Sequence, residues 1–228
     1  MTISRKNGEN RFLFSLICFL FLFNTCTKDK EPETDPTTVT DIDGNVYNTV
    51  KIGNRLWMVE NLKTSKLNDG KIITLAPDHW FFDGEPSRCY YNNDGASYRD
   101  TYGTLYNMYA VYTEKLCPVG WHVPSIDEWN ILINSYLPGP GGELKESGIS
   151  HWNSPNTGAN NNTGFTALPG GQRLMGGSFS GLGNQAHYWI NNNPRGALNV
   201  EMFYNNTYAY QQGASKWSGL SVRCIKDI

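Results

Sequence analysis

The chain has 228 residues, of which 39% are hydrophobic and 18% are charged, and its formal net charge at pH 7 is −2. A chain of this length can form one domain of ordinary to large size with a substantial core. The weakly acidic charge balance gives no reason to expect a nucleic acid partner, because nucleic-acid-binding domains carry clustered basic residues.

Residues 1–25 have the parts of a secretory signal. Three basic residues precede an apolar core over residues 12–23. This core is too short to span a bilayer. The segment resembles a bacterial lipoprotein signal, which implies that Cys26 is lipidated on its thiol and becomes the mature N-terminus. Cys18, inside the apolar core, is a weaker alternative, and ordinary cleavage or an uncleaved anchor are others.

A lipidated Cys26 predicts a protein of the cell envelope, anchored to the outer membrane through its lipid alone, with a periplasmic or outward orientation left open. Residues 27–40 contain mostly Lys, Asp, Glu, Pro and Thr, so that residues 26–40 are predicted to be a flexible tether that begins at the lipidated cysteine. The charged run at residues 28–31 resembles the surface-export signals of Bacteroidetes lipoproteins, or is a solvated linker.

Short apolar runs separated by turn signals predict a strand-rich domain over residues 41–228. A first strand is expected to follow Asp43-Gly44 and to contain Val46, Val50 and Ile52. Turns are expected at residues 53–54, as a two-residue hairpin, and at residues 68–70. Residues 104–113 are predicted to form a helix, with a strand as the alternative.

A long helix is predicted to begin at Ile126. Ser125 and Glu128 have the spacing of a capping box, in which each side chain bonds the backbone N–H of the other residue. The apolar residues that follow recur with the 3.6-residue period of an amphipathic helix: Ile126, Trp129, Leu132, Ile133 and Tyr136. Further strands are expected around residues 165–168, 188–190, 199–204 and 220–225.

Three cysteines follow the predicted anchor, and in an exported protein they are expected to be oxidised. We predict a disulfide between Cys117 and Cys224, which leaves Cys89 as a buried free thiol. The alternative pairing joins Cys89 to Cys117, because sequence spacing does not determine disulfide connectivity.

Several phrases in this order resemble the Fibrobacter succinogenes major paralogous domain, which occurs in exported Bacteroidetes and Fibrobacter proteins. They are DIDGNVY (41–47), IG (52–53), WMVENL (57–62), YYNND (90–94), YGTLYN (102–107), CPVGWHVPS (117–125), LPGGQR (168–173) and SVRC (221–224). Residues 123–129 also resemble the helix entry of formylglycine-generating enzymes, whose fold is related to that of C-type lectins. This resemblance implies an α+β fold in which two helices flank twisted antiparallel sheets with long loops.

The sequence predicts no catalytic residue, metal or cofactor. The oxidase chemistry of formylglycine-generating enzymes needs a pair of reactive cysteines near the C-terminus, where this chain has only Cys224. The four histidines are spaced too widely for a zinc site: His79, His122, His151 and His187. We interpret His122 as a hydrogen-bonded structural residue.

The other polar and glycine-rich features also have structural interpretations. The candidate carboxylates are scattered, and no spacing singles out a catalytic pair: Asp83, Glu85, Asp94, Glu128, Glu143 and Glu146. The Gly-rich runs at 139–142 and 176–177 are interpreted as turns. The Asn-rich runs at 160–163 and 191–193 are interpreted as solvated loops, since calcium sites usually contain several carboxylates.

The remaining candidate site is a set of aromatic residues, because exposed aromatic rings near amide side chains are a plausible platform for sugars or proteins. The candidates are Trp152, Tyr188, Trp189, Tyr208, Tyr210 and Trp217. The leading hypothesis is a non-enzymatic domain that binds a glycan or a protein at the cell envelope. The alternatives are a structural subunit of an envelope assembly and a diverged enzyme.

Overall fold

The computed structural model describes residues 1–3, 35–76, 84–192 and 196–228, and Asp35–Ile228 form a compact unit. Several predictions concern residues outside this description: the signal sequence, the lipidation candidates Cys18 and Cys26, most of the tether, His79, Asp83 and Asn193.

The compact unit contains both strands and helices. Its strands are β1 Thr38–Thr40, β2 Val46–Ile52, β3 Arg55–Met58, β4 Thr74–Leu75, β5 Ser87–Cys89, β6 Leu105–Tyr106, β7 Trp121–His122, β8 Gly170–Arg173, β9 Phe179–Leu182, β10 Gln185–Ile190, β11 Leu198–Phe203, β12 Ala209–Gly213 and β13 Ile225–Lys226. Its α-helices are α1 Gly95–Tyr102, α2 Met108–Tyr112, α3 Ile126–Asn134 and α4 Pro140–Leu144, and a 3-10 turn, Tyr91–Asn93, precedes α1. The predicted α+β class is confirmed.

The prediction of two helices is wrong, because the described part of the chain contains four. Helix α1 begins after Asp94, whose side chain accepts a hydrogen bond from the Ser97 N–H. None of the residues of α1 is buried, so its sequence has no apolar stripe from which the helix could be predicted. Helix α4 occupies the glycine run that was interpreted as a turn, with Pro140 in its first turn. No helix among the described residues is long and apolar enough to cross a bilayer.

The largest sheet has the strand order β1-β2-β3-β13-β7 and contains the predicted hairpin. Gly53 and Asn54 join β2 to β3, with Ile52 paired to Arg55. The last strand, β13, lies between β3 and β7, because Ile225 pairs with both Trp57 and His122. The first three strands and the last strand of the compact unit therefore belong to one sheet.

Strand β1 lies in the segment that the sequence predicted to be tether. Thr38, Val39 and Thr40 pair with residues of β2, and the compact unit therefore starts before the predicted domain boundary at residue 41. The tether prediction is wrong for these three residues, because their backbone hydrogen bonds to β2 do not require apolar side chains.

A second sheet, β10-β11-β12, is antiparallel, and it confirms the strands predicted around residues 188–190 and 199–204. Two smaller sheets are β4-β5-β6, in which β4 and β5 are parallel, and β8-β9. The predicted strand at 220–225 is reduced to β13 and isolated bridges at Leu220 and Ser221.

The strand predicted around residues 165–168 is wrong. Ala167 makes one isolated bridge with Lys145, while the carbonyls of Phe165 and Thr166 accept hydrogen bonds from the side chain of Arg223. Carbonyls directed at a buried guanidinium are not available for a regular strand ladder.

The buried apolar side chains form two main clusters. One surrounds the predicted disulfide, which is confirmed between Cys117 and Cys224, and it includes Trp121 and Trp189. Cys89 is a buried free thiol, as predicted.

The second cluster packs the apolar face of α3 against the sheets. The ring centroids of Trp57 and Trp129 lie 5.2 Å apart, and those of Trp129 and Tyr188 lie 5.9 Å apart. Such tilted aromatic pairs add stabilisation beyond their buried area. The apolar stripe predicted from the sequence thus serves the core.

Helix α3 begins at Ile126 with the predicted capping box. The Ser125 hydroxyl accepts a hydrogen bond from the Glu128 N–H at 3.3 Å, and the Glu128 carboxylate accepts one from the Ser125 N–H at 2.9 Å. Arg55 of β3 donates to the same carboxylate at 2.7 Å. The helix start is therefore attached to the main sheet.

His122 completes this network, and its interpretation as a hydrogen-bonded residue is confirmed. Its Nε2 lies 3.0 Å from both carboxylate oxygens of Glu128, and its Nδ1 lies 2.5 Å from Asp227. Burial by itself raises the pKa of Glu128, but the hydrogen bonds from His122 and Ser125 outweigh it and lower this pKa to about 2. The hydrogen bond with Glu128 in turn raises the pKa of His122.

These opposite shifts predict how the His122–Glu128 pair contributes to stability at different pH values. The contribution of Glu128 is present above its unfolded pKa and is lost as the pH falls towards 2, whereas that of His122 is present below its unfolded pKa and is lost as the pH rises through its raised folded value. We expect His122→Gln to reduce the free energy of unfolding most at about pH 5.5 and least at about pH 9 in urea titrations.

A double-mutant cycle with Glu128→Gln provides the control. The coupling energy between the two residues should be present at the lower pH and much smaller at the higher pH. A coupling energy that does not change with pH would contradict the charged pair.

Candidate functional site

Half of the predicted aromatic candidates are core residues, which corrects the expectation that they form a binding surface. Trp152, Tyr188 and Trp189 are buried. The indole N–H of Trp152 donates to the Ala167 carbonyl at 2.9 Å, and that of Trp189 donates to the Tyr106 carbonyl at 2.6 Å. Their polar atoms are used inside the protein, so these side chains pack the domain.

The other candidates are nearer the surface. Trp217 is half-buried and its ring packs against Tyr109, with centroids 6.4 Å apart. Tyr208 and Tyr210 are 52% and 37% exposed, and among the residues that the structure describes they are the only exposed aromatic side chains. The structure thus reduces the six candidates to one adjacent pair.

Strand alternation explains why this pair faces solvent. Strand β11 buries Val200 and Met202 in the second core cluster, so Glu201 and Phe203 point to the opposite face of the sheet. Tyr210 of β12 is paired with Glu201 and therefore shares that face. One face of the β10-β11-β12 sheet therefore packs on the core, and the opposite face is directed outwards around Phe203 and Tyr210.

The outer side carries a surface that we name the aromatic–amide patch. It consists of Glu201, Phe203, Asn205, Asn206, Tyr208, Tyr210 and Gln212. All except Tyr208 line a shallow depression of about 410 Å³. Of these residues, the sequence predicted only the two tyrosines as candidates. The two-residue spacing that places Glu201 with Phe203, and Tyr210 with Gln212, on one face of a strand is nevertheless visible in the sequence.

The rings of the patch touch one another at an angle. Tyr208 and Tyr210 have centroids 5.6 Å apart and ring planes inclined at 52°. Phe203 and Tyr210 have centroids 5.9 Å apart and planes inclined at 70°. The three rings therefore support one another and present faces in different directions.

The turn that carries Tyr208 is held from below by helix α4. The Gly141 N–H donates to the Thr207 carbonyl at 2.8 Å, and the Gly142 N–H also approaches that oxygen. A Cβ at Gly141 would overlap the Tyr208 carbonyl, so only glycine permits this close approach. The glycine run therefore has a packing role that its interpretation as a turn did not include.

The buried ammonium of Lys145 also holds this turn. Its Nζ donates to the carbonyls of Thr157, Phe203 and Asn206 at 3.1, 3.0 and 2.9 Å, and it lies 5.3 Å from the ring centroid of Trp152. Burial lowers the pKa of Lys145 to about 8, so the amine remains protonated at neutral pH with all three N–H groups used. Both ends of the 203–206 segment are thus fixed to one cation.

A buried histidine lies beside the patch, on the same face of the sheet. His187 of β10 pairs with Glu201, and its ring nitrogens lie 3.2 Å from the Asn199 side-chain oxygen and 3.1 Å from that of Gln185. Burial lowers the pKa of His187. The His187 Nδ1 also lies 3.7 Å from a carboxylate oxygen of Glu201, so the Glu201 side chain lies between this buried ring and the patch.

A second recess, of about 570 Å³, lies between the β2–β3 turn and α3. Trp57, Leu132 and Tyr136 line it, together with Arg55 and Glu128 of the capping network, and Ile131 at its side is 63% exposed. This recess could not be predicted from the sequence, because it depends on how α3 lies against β3.

The described residues contain no group of three or more His, Cys, Asp or Glu side chains placed to hold a metal ion. In the Asn-rich loop, Asn161 exchanges hydrogen bonds with Thr166, and Asn160 accepts one from the Asn162 N–H. These amide groups stabilise the loop that contains them.

The contacts of Lys145 generate a stability prediction. Lys145→Met leaves three partly buried backbone carbonyls without this donor. We expect it to lower the free energy of unfolding by roughly 2–4 kcal/mol, since a buried unsatisfied group costs about 1–3 kcal/mol and the three effects overlap. Amide hydrogen exchange should accelerate in the turn at residues 204–208.

Lys216→Met is the matched control, because Lys216 is exposed and contacts the ring of Tyr112. This variant should leave both stability and exchange in the turn nearly unchanged. Normal exchange protection of the turn in Lys145→Met would show that Lys145 does not hold it.

Comparison with known families gives one match, to the Fibrobacter succinogenes major domain, over residues 50–226. No curated protein and no solved structure matches the chain significantly. The matched range includes most of the main sheet, the disulfide and the whole aromatic–amide patch. This chain therefore belongs to the Fibrobacter succinogenes major domain family.

Proposed function

We propose that Asp35–Ile228 form a non-enzymatic domain that binds a glycan through the aromatic–amide patch. The observation that carries the proposal is that the two exposed aromatic side chains of the described chain lie side by side, Tyr208 on the anchored turn and Tyr210 in β12. Four polar side chains surround them and are able to orient a polar ligand: Glu201, Asn205, Asn206 and Gln212.

The physical basis is the match between this surface and a sugar. A sugar ring has an apolar face of C–H groups that packs on a flat aromatic ring, while its hydroxyls require hydrogen-bond partners at the edge. Tyrosine provides contact area with little loss of side-chain entropy, and amides both donate and accept. Because Lys145 and Gly141 already hold the turn, little further ordering is needed on binding.

We propose further that the domain is anchored at the cell envelope by a lipid on Cys26, with the following residues as a spacer. The basic and apolar segments before Cys26 support this assignment. The disulfide between Cys117 and Cys224 agrees with an oxidising compartment outside the cytoplasm. The mixed sheets and short helices are also compatible with a relative of the C-type lectin-like fold of formylglycine-generating enzymes.

The glycan proposal predicts saturable binding in a screen of the full-length chain, kept soluble in mild detergent, against a broad set of polysaccharides. Tyr208→Ala and Tyr210→Ala should each weaken binding to the selected glycan by about tenfold, as expected for the loss of one stacking contact. The screen is repeated with a chelator, and a loss of binding there would add calcium to the site.

Ile131→Ala is the matched control, because it removes an exposed apolar side chain on α3 and leaves the patch intact. It should bind as the unmodified chain does. Binding that survives both tyrosine substitutions would move the site elsewhere. No binding to any glycan would redirect the search to a protein partner or to self-association in an envelope assembly.

The anchor proposal predicts that Cys26→Ala abolishes labelling by a fatty-acid analogue in cells and releases the protein from the membrane fraction. Cys18→Ala, the control within the same signal, should remain labelled. Continued labelling of Cys26→Ala would disprove lipidation at that residue.

A further inference from the structure

We infer that the ligand of the aromatic–amide patch is an uncharged polysaccharide with a curved chain, of the class of α-1,4-linked glucans. This inference rests on the proposed glycan-binding function and narrows it. It follows from two observations, the charge of the patch and the angle between its tyrosine rings.

The charge of the patch selects against acidic polysaccharides. The patch has one acidic residue, Glu201, and the residues that line the depression include no Lys or Arg. Lys145 does hydrogen-bond to backbone carbonyls of the patch residues Phe203 and Asn206. Its ammonium is buried, however, and all three of its N–H groups are occupied by backbone carbonyls. A uronate or sulfate group would therefore face the Glu201 carboxylate at a depression whose lining has no Lys or Arg.

The amide side chains complement neutral hydroxyl groups instead. Asn205 and Gln212 are exposed at the edge of the depression, and each offers a donor and an acceptor. Asn206 uses its side-chain oxygen to accept from the Tyr208 N–H at 2.9 Å, and its amide nitrogen donates to the Asn205 side-chain oxygen at 3.4 Å. The second N–H of that amide remains to donate to a ligand. Hydroxyls, which also donate and accept, fit such partners without a charge mismatch.

The angle between the rings selects the shape of the chain. Two sugars that stack on Tyr208 and Tyr210 must incline their faces by an angle close to the 52° between the ring planes. A β-1,4-linked glucan is a flat ribbon with nearly parallel sugar faces. It can therefore stack on one of the two tyrosine rings but not on both. An α-1,4-linked glucan coils, and its successive sugar faces turn relative to one another.

The supporting contacts keep this angle. Phe203 packs edge-on against Tyr210, and the Tyr208 backbone is held at the turn that Gly141 and Lys145 anchor. Rotating the Tyr210 ring towards the plane of Tyr208 would break its edge-on contact with Phe203. The Tyr210 ring and the Tyr208 backbone therefore need little reordering when a ligand binds.

The test measures binding of the full-length chain in mild detergent to soluble oligosaccharides of equal length by calorimetry. The probes are an α-1,4-linked glucan, a β-1,4-linked glucan and an α-1,4-linked galacturonan, which is acidic. We expect the α-glucan to bind about tenfold more tightly than the β-glucan, since it alone contacts both rings, and the acidic chain to bind weakest.

Single-ring variants test the role of the angle. Tyr208→Ala and Tyr210→Ala should each bring the affinity for the α-glucan down to that for the β-glucan, while Tyr208→Phe, which keeps the ring, should preserve the preference. Circular dichroism of each variant must match that of the unmodified chain, and Tyr208→Phe serves as the folded reference.

The outcomes test the inference about a curved, uncharged glucan separately from the proposed glycan binding. Equal or tighter binding of the β-glucan would overturn the curved-chain inference and leave glycan binding in place, and tightest binding of the galacturonan would overturn the charge argument. A chain that binds other glycans but none of these would also overturn the inference. A chain that binds no glycan in the wider screen would overturn the proposed function itself.

Discussion

The buried guanidinium of Arg223 is the interaction on which the rest of the domain depends. It lies next to Cys224 in the chain, and its centre is 4.4 Å from the ring of Phe165 and 5.3 Å from that of Tyr188. Asn61 accepts from its Nε and Nη2 at 3.2 and 2.9 Å. Burial lowers the pKa of Arg223, but a guanidinium remains charged, so its donors must be satisfied within the protein.

This requirement determines the local backbone around the two core clusters. The carbonyls of Met58, Phe165 and Thr166 also accept from Arg223, and a segment that directs two successive carbonyls inwards cannot continue as a strand. Arg223 thus draws the end of β3 and the 165–166 segment together, while the adjacent disulfide holds Cys224 to the segment before β7. The loss of this one side chain would leave buried carbonyls unsatisfied in both places.

Lys145 repeats the same physical arrangement at the proposed binding site. Three backbone carbonyls replace the water around its ammonium, and two of them belong to the 203–206 segment beside the tyrosines. A buried cation that is satisfied by backbone oxygens specifies the path of the chain more strongly than an apolar contact, because its hydrogen bonds are directional. The aromatic–amide patch is therefore a surface feature with a rigid interior support.

The sequence by itself determined the features whose causes are local. The capping box of Ser125 and Glu128 and the hairpin turn after Ile52 formed as predicted, because neighbouring residues supply their hydrogen bonds. Only the tertiary structure decided which of the six aromatic candidates are exposed, since Tyr188 and Tyr210 have the same chemistry but lie on opposite faces of one sheet. Burial depends on strand register and on contacts between residues far apart in the chain, and neither is encoded in the identity of a single residue or its neighbours.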